Sequence, residues 1–352
     1  MSHFSLLRDP DKYKADPYSL LEDEQARTYW LDLFAEHFQM TLAHAADAYG
    51  KSASKHIEDA RADFAQQIDM LREKPDALNG ELSVLALCRM RDRFLREHRL
   101  FDPFSHIKQR ENVLSVALYG DVVRRLHSLE PEDRWLHLVE AVFAGNIFDL
   151  GSSVTMDLAR ESPDFLAAVE DTRPRPWLVD DFDILLDDLL INVPAKWGKA
   201  VIFVDNAGCD FVLGVMPLAR ELALEGVQVV LAANEHPSLN DITADETVEM
   251  VKQLATIDPD LPALIDAGMF EVVSTGNELP LIDLSDVSDE LNAASEDADL
   301  VVLEGMGRAV ESNYDADFKV DALHLALLKD PNVASRLNGE VYDCVCKYKQ
   351  VD

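Results

Sequence analysis

The chain has 352 residues, 48% of them hydrophobic and 8% aromatic, enough to bury a sizeable apolar core without disulfide or metal support. Asp and Glu number 66 against 32 Lys and Arg, a formal net charge of −34, which excludes a general basic footprint for nucleic acid or an anionic membrane. An anionic small substrate stays open, provided that a metal ion, arginines or helix N-termini gather positive charge locally. Cys88, Cys209, Cys344 and Cys346 are too scattered for a disulfide framework or a four-thiolate zinc site. No apolar h-region opens the chain and no run approaches the ~18 apolar residues of a membrane span, so a cytoplasmic protein is expected, its oligomeric state left open.

From the N-terminus to residue 195, apolar residues recur at helical spacing and β-branched runs are scarce. The stretch from Glu22 to Tyr49 carries Tyr29, Leu33, Phe34, His37, Leu42 and Ala45 along one stripe. Lys55 to Leu71, Leu82 to Leu100, Arg134 to Phe148 and Asp181 to Leu190 read the same way, and prolines fall between them. Arg89, Arg91, Arg93, Arg96 and Arg99 read as a solvated helix face pairing with nearby acids. Residues 1–195 are expected to form an α-helical domain contributing to a cleft.

Residues 196–352 change texture. AVIFVD (200–205), VQVVLAA (227–233), FEVVSTG (270–276) and LVVLEG (300–305) are short β-branched runs of the kind found in buried parallel strands. Helices are expected near 210–225, 244–256, 286–297 and 319–329, and a last strand near 340–348. The fold class that follows is α/β, a doubly wound, mostly parallel α/β/α sheet preceded by the helical domain. Ligands of such sheets bind beyond the carboxyl ends of the strands.

Those ends carry polar residues. Asp205 and Asn206 close the first run and offer hard oxygen ligands suited to a divalent ion, although both are also ordinary turn residues. Asn240 and Asp241 follow the second, where Thr243 and Glu246 also read as a capping box. After the fourth come Glu304, Gly305, Met306, Gly307 and Arg308: glycines that let backbone approach a ligand, and a guanidinium suited to phosphate. Val310 stands where a dinucleotide fingerprint would need Gly or Ala. Ala207 stands where a haloacid-dehalogenase-type phosphatase would need its second Asp.

VDNAG (204–208), LNDIT (239–243) and EGMGR (304–308) together resemble the metal-dependent damage-control phosphatases. EGMGR is similar to the signature of the subgroup found as a separate protein in plants and as the C-terminal domain of a catalytically dead pantothenate-kinase-like protein of animals. DPDKYKADPYSL (9–20), RTYWL (27–31), DPFSHIKQREN (102–112), AGNIFDLG (144–151), RPWLVDD (175–181) and VCKY (345–348) extend the resemblance nearly end to end. It suggests the free-standing form, with no kinase domain ahead of it.

The resemblance implies that Asp205, Asn206 and Asp241 hold a divalent metal (manganese, cobalt, nickel or magnesium) and act as the catalytic residues. It implies that Asn146 and Asp149 reach the site from the helical domain, and that Arg308, Glu304, Gly305 and Gly307 meet the substrate phosphate. Lys108 and Arg110 join the substrate-binding set, with pairing to local acids such as Asp102 and Glu111 as the alternative. The expected activity is hydrolysis of a small phosphomonoester, 4′-phosphopantetheine or its oxidised or sulfonated forms in the coenzyme A pathway, with sugar phosphates as the alternative. Glu235 and His236 replace the small residues expected ahead of Asn240. Two readings from other classes stand beside this one: an S-adenosylmethionine-dependent methyltransferase and a non-catalytic metabolite sensor.

Overall fold

The computed structural model describes residues 2–78, 80–147, 173–191 and 196–351. Asp149 lies outside them. Helix α1 (Glu24–Tyr49) starts where the Asp23 side chain accepts a hydrogen bond from the Ala26 amide, and it buries Trp30, Leu31, Phe34, Phe38, Leu42 and Ala45. Tyr29, Leu33 and His37, counted with the apolar stripe from sequence, are only partly buried. Helices α2 (Ser54–Glu73) and α3 (Val84–Glu97) pack beside it, with Phe38 stacked on Phe64 at 3.9 Å. Helix α4 (Ser105–His127) is not apparent from periodicity, because its first turns are polar, valines recur along it and Gly120 interrupts it. Helix α5 (Pro131–Ile147), strand β1 (Val179–Asp180) and helix α6 (Phe182–Ile191) complete this half.

The second half supplies β2 (Lys199–Phe203), β3 (Gln228–Ala233), β4 (Phe270–Ser274) and β5 (Leu300–Glu304); the last three lie within segments expected to be strands, and β2 starts one residue ahead of its own. A π-helical turn (Asp210–Val215) leads into α7 (Met216–Leu224); α8 (Ala244–Leu254), α9 (Leu261–Asp266) and α10 (Asp289–Ala294) follow. The expected helix near 319–329 is instead strand β6 (Asp321–Leu327). Its Ala and Leu content favours a helix, but Leu323, Leu325 and Leu327 alternate on one face with Ala322 and Ala326 on the other, and burial on both faces selects the strand. After α11 (Pro331–Arg336), β7 (Cys344–Lys349) runs antiparallel to β6.

The sheet order is β1-β7-β6-β5-β2-β3-β4, and every pairing except β6 with β7 is parallel. Alternate strand residues face two apolar interiors. Val201, Phe203, Val301 and Leu303 pack with the N-terminal segment and α1 to α3, while Ala200, Ile202, Val302 and Leu325 pack with α4, α5 and α7. The helical half and the sheet therefore share their cores. The chain runs outward from β2 through β3 to β4, then returns to place β5 on the other side of β2, so the order reverses between β2 and β5. That reversal opens a crevice at the carboxyl ends of the two strands.

Helix α5 reaches the crevice because it crosses the π-helical turn at glycines. A Cβ on Gly145 would stand 2.8 Å from the Asp210 Cα, and one on Gly214 would stand 3.1 Å from the Ala141 oxygen. No described helix is long and apolar enough to cross a membrane.

Phe203 is fully buried and meets Phe4 edge-on at 5.4 Å, linking the central strand to the N-terminal segment. We expect Phe203→Ala to lower unfolding stability by about 3–5 kcal/mol in a denaturant titration. A loss under about 1 kcal/mol would show that this junction contributes little to the fold.

Candidate active site

Asp205 lies just past β2 and Glu304 ends β5, so the strand reversal brings the two side by side. The Asp205 amide donates to Glu304 Oε2 at 3.1 Å. Asn206 donates to Asp210 Oδ2 from its backbone at 3.1 Å and from its side chain at 2.8 Å. From α5, Asn146 Nδ2 donates to both Asp210 oxygens, at 3.1 and 3.0 Å, and to Glu304 Oε1 at 2.6 Å. One oxygen from each of Asp205, Asp210 and Glu304 lies within 4.8 Å of the others, and all three residues are buried. Burial pushes the Asp210 carboxyl up and the Glu304 carboxyl well up, and the neighbouring Asp210 raises Glu304 further.

Arg308 occupies the other side of Asp205. Its Nη1 pairs with Asp205 Oδ1 and also donates to the Pro280 oxygen at 3.2 Å; its Nη2 donates to Asp241 Oδ2 at 2.9 Å. The guanidinium thus joins two strand ends, although its own burial pulls its pKa down. Asn234, at the end of β3, donates to the same Asp241 oxygen at 2.8 Å. Backbone bonds lock the three segments: the Ala207 amide donates to the Asn240 oxygen at 2.9 Å and the Ile242 amide to the Asp205 oxygen at 3.0 Å. Thr243 and Glu246 form the expected capping box at the start of α8.

Asp205, Asn206, Asp241 and Gly307 line one cavity of about 340 Å³. Gly305 has φ +88°, and a Cβ there would overlap the Asp205 carboxylate. Its amide donates to the Leu325 oxygen at 3.0 Å, so Gly305 contributes space and not a free donor. Lys108 is buried and held by Asp102 at 3.1 Å and Glu246 at 2.7 Å, away from the cavity lining, and Arg110 is exposed. The same KQREN segment braces the site through a different residue: Asn112 Oδ1 accepts from the Gly208 amide at 2.8 Å.

Several residues enter the site without having been singled out from sequence. Asp210 follows Asn206 by four residues, a helical spacing that returns its carboxylate to the same place; Asn234 carries no local signal. Arg91 does not face solvent with its neighbours but lines the cavity, paired with Asp92 at 2.7 Å. Lys329 and Asp330 come from the loop after β6, and Tyr29, Trp30, Leu33 and Phe34 of α1 form an apolar wall.

The donor set fits a divalent cation. Asp205, Asp210 and Glu304 crowd carboxylate oxygens together, and Asn146 Oδ1, beside them, is buried with no hydrogen-bond partner. Asp205, Asn206 and Asp241 all line the cavity, but Arg308 stands between the Asp205 and Asp241 carboxylates, and Asp241 is not part of the Asp205–Asp210–Glu304 group. Carboxylates and amide carbonyls suit hard cations.

Comparison with known proteins identifies the family and the fold. The damage-control phosphatase ARMT1-like domain matches residues 33–345. A damage-control phosphatase of Arabidopsis thaliana (At2g17340) is 40% identical over 92% of this chain and 88% of its own length. The 4′-phosphopantetheine phosphatase of Mus musculus is 33% identical over 98% of this chain, which spans 48% of the mouse protein. Pantothenate kinase 2 of Arabidopsis thaliana is 39% identical, and the chain spans 41% of it. A crystal structure of a DUF89 family protein from Pyrococcus horikoshii superposes with a TM-score of 0.64 at 19% identity, covering 90% of this chain and 96% of that one, which shows the fold.

Two glycines separate strain from clash. Gly226 also has positive φ, at +93°, but open space around it. We expect Gly226→Ala to cost about 1–2 kcal/mol and to keep the stabilisation that added divalent metal gives in thermal melts. Gly305→Ala should lose that metal response altogether. Equal behaviour of the two variants would remove the Gly305–Asp205 contact from the site.

Proposed function

Since this chain belongs to the damage-control phosphatase ARMT1-like family and is therefore a phosphatase, we propose that it hydrolyses 4′-phosphopantetheine or its oxidised or sulfonated derivatives in the described cavity. The observation that carries this reading is a single cavity with two kinds of lining. Asp205, Asn206 and Asp241, beside Arg308, suit a metal-bound phosphate. Trp30, Leu33, Phe34 and Leu281, in the same lining, suit the apolar stretches of an extended arm.

Two polar atoms punctuate that wall. Trp30 Nε1 and Glu311 Oε2 are buried and make no hydrogen bond, and both residues line the cavity. A pantetheine arm carries two amides and would satisfy both atoms, whereas a sugar phosphate is too short and too polar for the wall. A buried polar atom without a partner costs about 1–3 kcal/mol, so a ligand that supplies the partner gains correspondingly.

A divalent cation held by Asp205, Asn206 and Asp241 would neutralise phosphoryl charge and act as a Lewis acid. Manganese, cobalt, nickel and magnesium are the candidates suited to this donor set. Arg308 spends both Nη atoms on Asp205, Pro280 and Asp241, and would meet the equatorial phosphoryl oxygens, where charge accumulates in the transition state, by exchanging those partners. Lys329, also in the cavity lining, adds a second positive charge. Asn146 and Asn206 hold Asp210 and Glu304 in place, and side chains of α1 and α3 line the same cavity. The net reaction forms one P–O bond to water and breaks the ester P–O bond, releasing the alcohol and inorganic phosphate.

A phosphate-release screen over phosphopantetheine derivatives and sugar phosphates, with and without added divalent metals, tests the assignment. We expect phosphopantetheine derivatives to give the highest kcat/KM and a chelator to abolish turnover. Preference for a sugar phosphate such as fructose 1-phosphate would overturn the substrate assignment, and full activity in chelator would overturn the metal.

Asp205→Asn should reduce kcat by at least about a thousandfold, since it removes a charge shared by the metal and Arg308. Trp30→Phe keeps the ring and removes the donor. Its KM for phosphopantetheine should rise about 5- to 10-fold, with the KM for a sugar phosphate unchanged. An equal effect on both substrates would place Trp30 in packing alone.

A further inference from the structure

A second cluster of ligating side chains lies outside the cleft. His44 and Asp47 stand one turn apart near the end of α1, and His106 lies in the first turn of α4. One ring nitrogen of each histidine and one Asp47 oxygen lie within 4.8 Å of one another. None of the three lines the cavity, and none belongs to the carboxylate cluster around Asp205.

Their chemistry differs from that of the active site. The two imidazole rings are 6.2 Å apart, and His44 also packs against Phe104 at 4.8 Å, so its ring is held in place. Burial, followed by the neighbouring His106, lowers the His44 pKa. His106 Nδ1 is buried and makes no hydrogen bond. Simple packing of the rings leaves that nitrogen unsatisfied, whereas a metal ion bound at it would supply the missing partner.

We propose that His44, Asp47 and His106 bind a borderline transition-metal ion of the zinc type, as a structural clamp separate from the catalytic site. Two imidazoles and a carboxylate suit zinc, cobalt or nickel, and are poor partners for magnesium or calcium. Metal–ligand bonds of about 2.0–2.2 Å place tetrahedral ligands roughly 3.4 Å apart, and Asp47, an exposed side chain, can rotate to close the remaining gap. Three protein ligands leave one position for water.

The clamp would tie together two helices that serve the cleft differently. Helix α1 supplies the apolar wall through Tyr29, Trp30, Leu33 and Phe34. Helix α4 supplies Asn112, which holds the Gly208 amide next to the Asp205–Asn206 pair. An ion bridging His44 and His106 fixes the wall relative to that loop.

Zinc titration against a competing indicator tests this in the whole protein, comparing wild type, Asp47→Ala, His106→Ala and Asp205→Asn. We expect Asp47→Ala and His106→Ala to weaken one zinc equivalent at least tenfold, and Asp205→Asn to retain that equivalent. In the Asp205→Asn background, zinc should raise the melting temperature, and adding His44→Ala should abolish the rise. Asp47 is exposed, so its replacement leaves folding intact and keeps the titration interpretable. Unchanged zinc binding in both Asp47→Ala and His106→Ala would overturn the clamp, whatever the phosphatase assays show. Loss of the same equivalent in Asp205→Asn would overturn it too, by assigning that ion to the cleft.

Discussion

Four buried carboxylates, those of Asp205, Asp210, Asp241 and Glu304, converge on the carboxyl ends of a parallel sheet with one buried guanidinium, Arg308, among them. That surplus of negative charge, out of contact with bulk water, is the constraint to which the surrounding structure answers. Arg308 offsets part of it by pairing with Asp205 and Asp241. Asn146 and Asn206 offset another part by donating to Asp210, and Asn146 donates to Glu304 as well. The raised pKa of the Asp210 and Glu304 carboxyls reflects what remains, and a divalent cation is the further partner the cluster suits.

Holding like charges so close requires a scaffold that cannot spread. The strand reversal between β2 and β5 sets the spacing, and the parallel ladders on both sides of β2 keep it. The crossing of α5 over the 210–215 turn at Gly145 and Gly214 brings Asn146 within hydrogen-bonding distance. The absence of a side chain at Gly305 makes room for the Asp205 carboxylate. Each of these is a close backbone approach, and a larger residue at any of them would push a charged group away from its partner. The helical half then contributes side chains of α1 and α3 to the lining of the cavity at the strand ends.

Much of this was legible beforehand. β-branched runs ending in polar residues placed β2, β3, β4 and β5, and the strand-end position marked Asp205, Asn206, Asp241, Glu304 and Arg308 for attention. Lys108 shows where such reading stops. Its neighbours left substrate contact and pairing with local acids equally open, and the structure pairs it with Asp102 and with Glu246, which lies 138 residues along the chain. Arg91 and the 321–327 strand show the same limit from the other side. An arginine on a polar helix face and an Ala/Leu-rich segment each look like the common case until burial by distant elements decides otherwise.

The sequence by itself determined the strand and helix inventory in outline, the acid excess, and the polar groups at the strand ends, because hydrophobic period and turn chemistry act over a few neighbouring residues. The tertiary structure decided which of those groups meet. It placed Asp210 and Asn146 beside the strand-end carboxylates, turned Arg308 between two carboxylates, made β6 a strand, and brought α1 into the lining of the same cavity. These outcomes depend on contacts between residues scores of positions apart, whose geometry is set by sheet order and helix crossing and leaves no local trace in the chain.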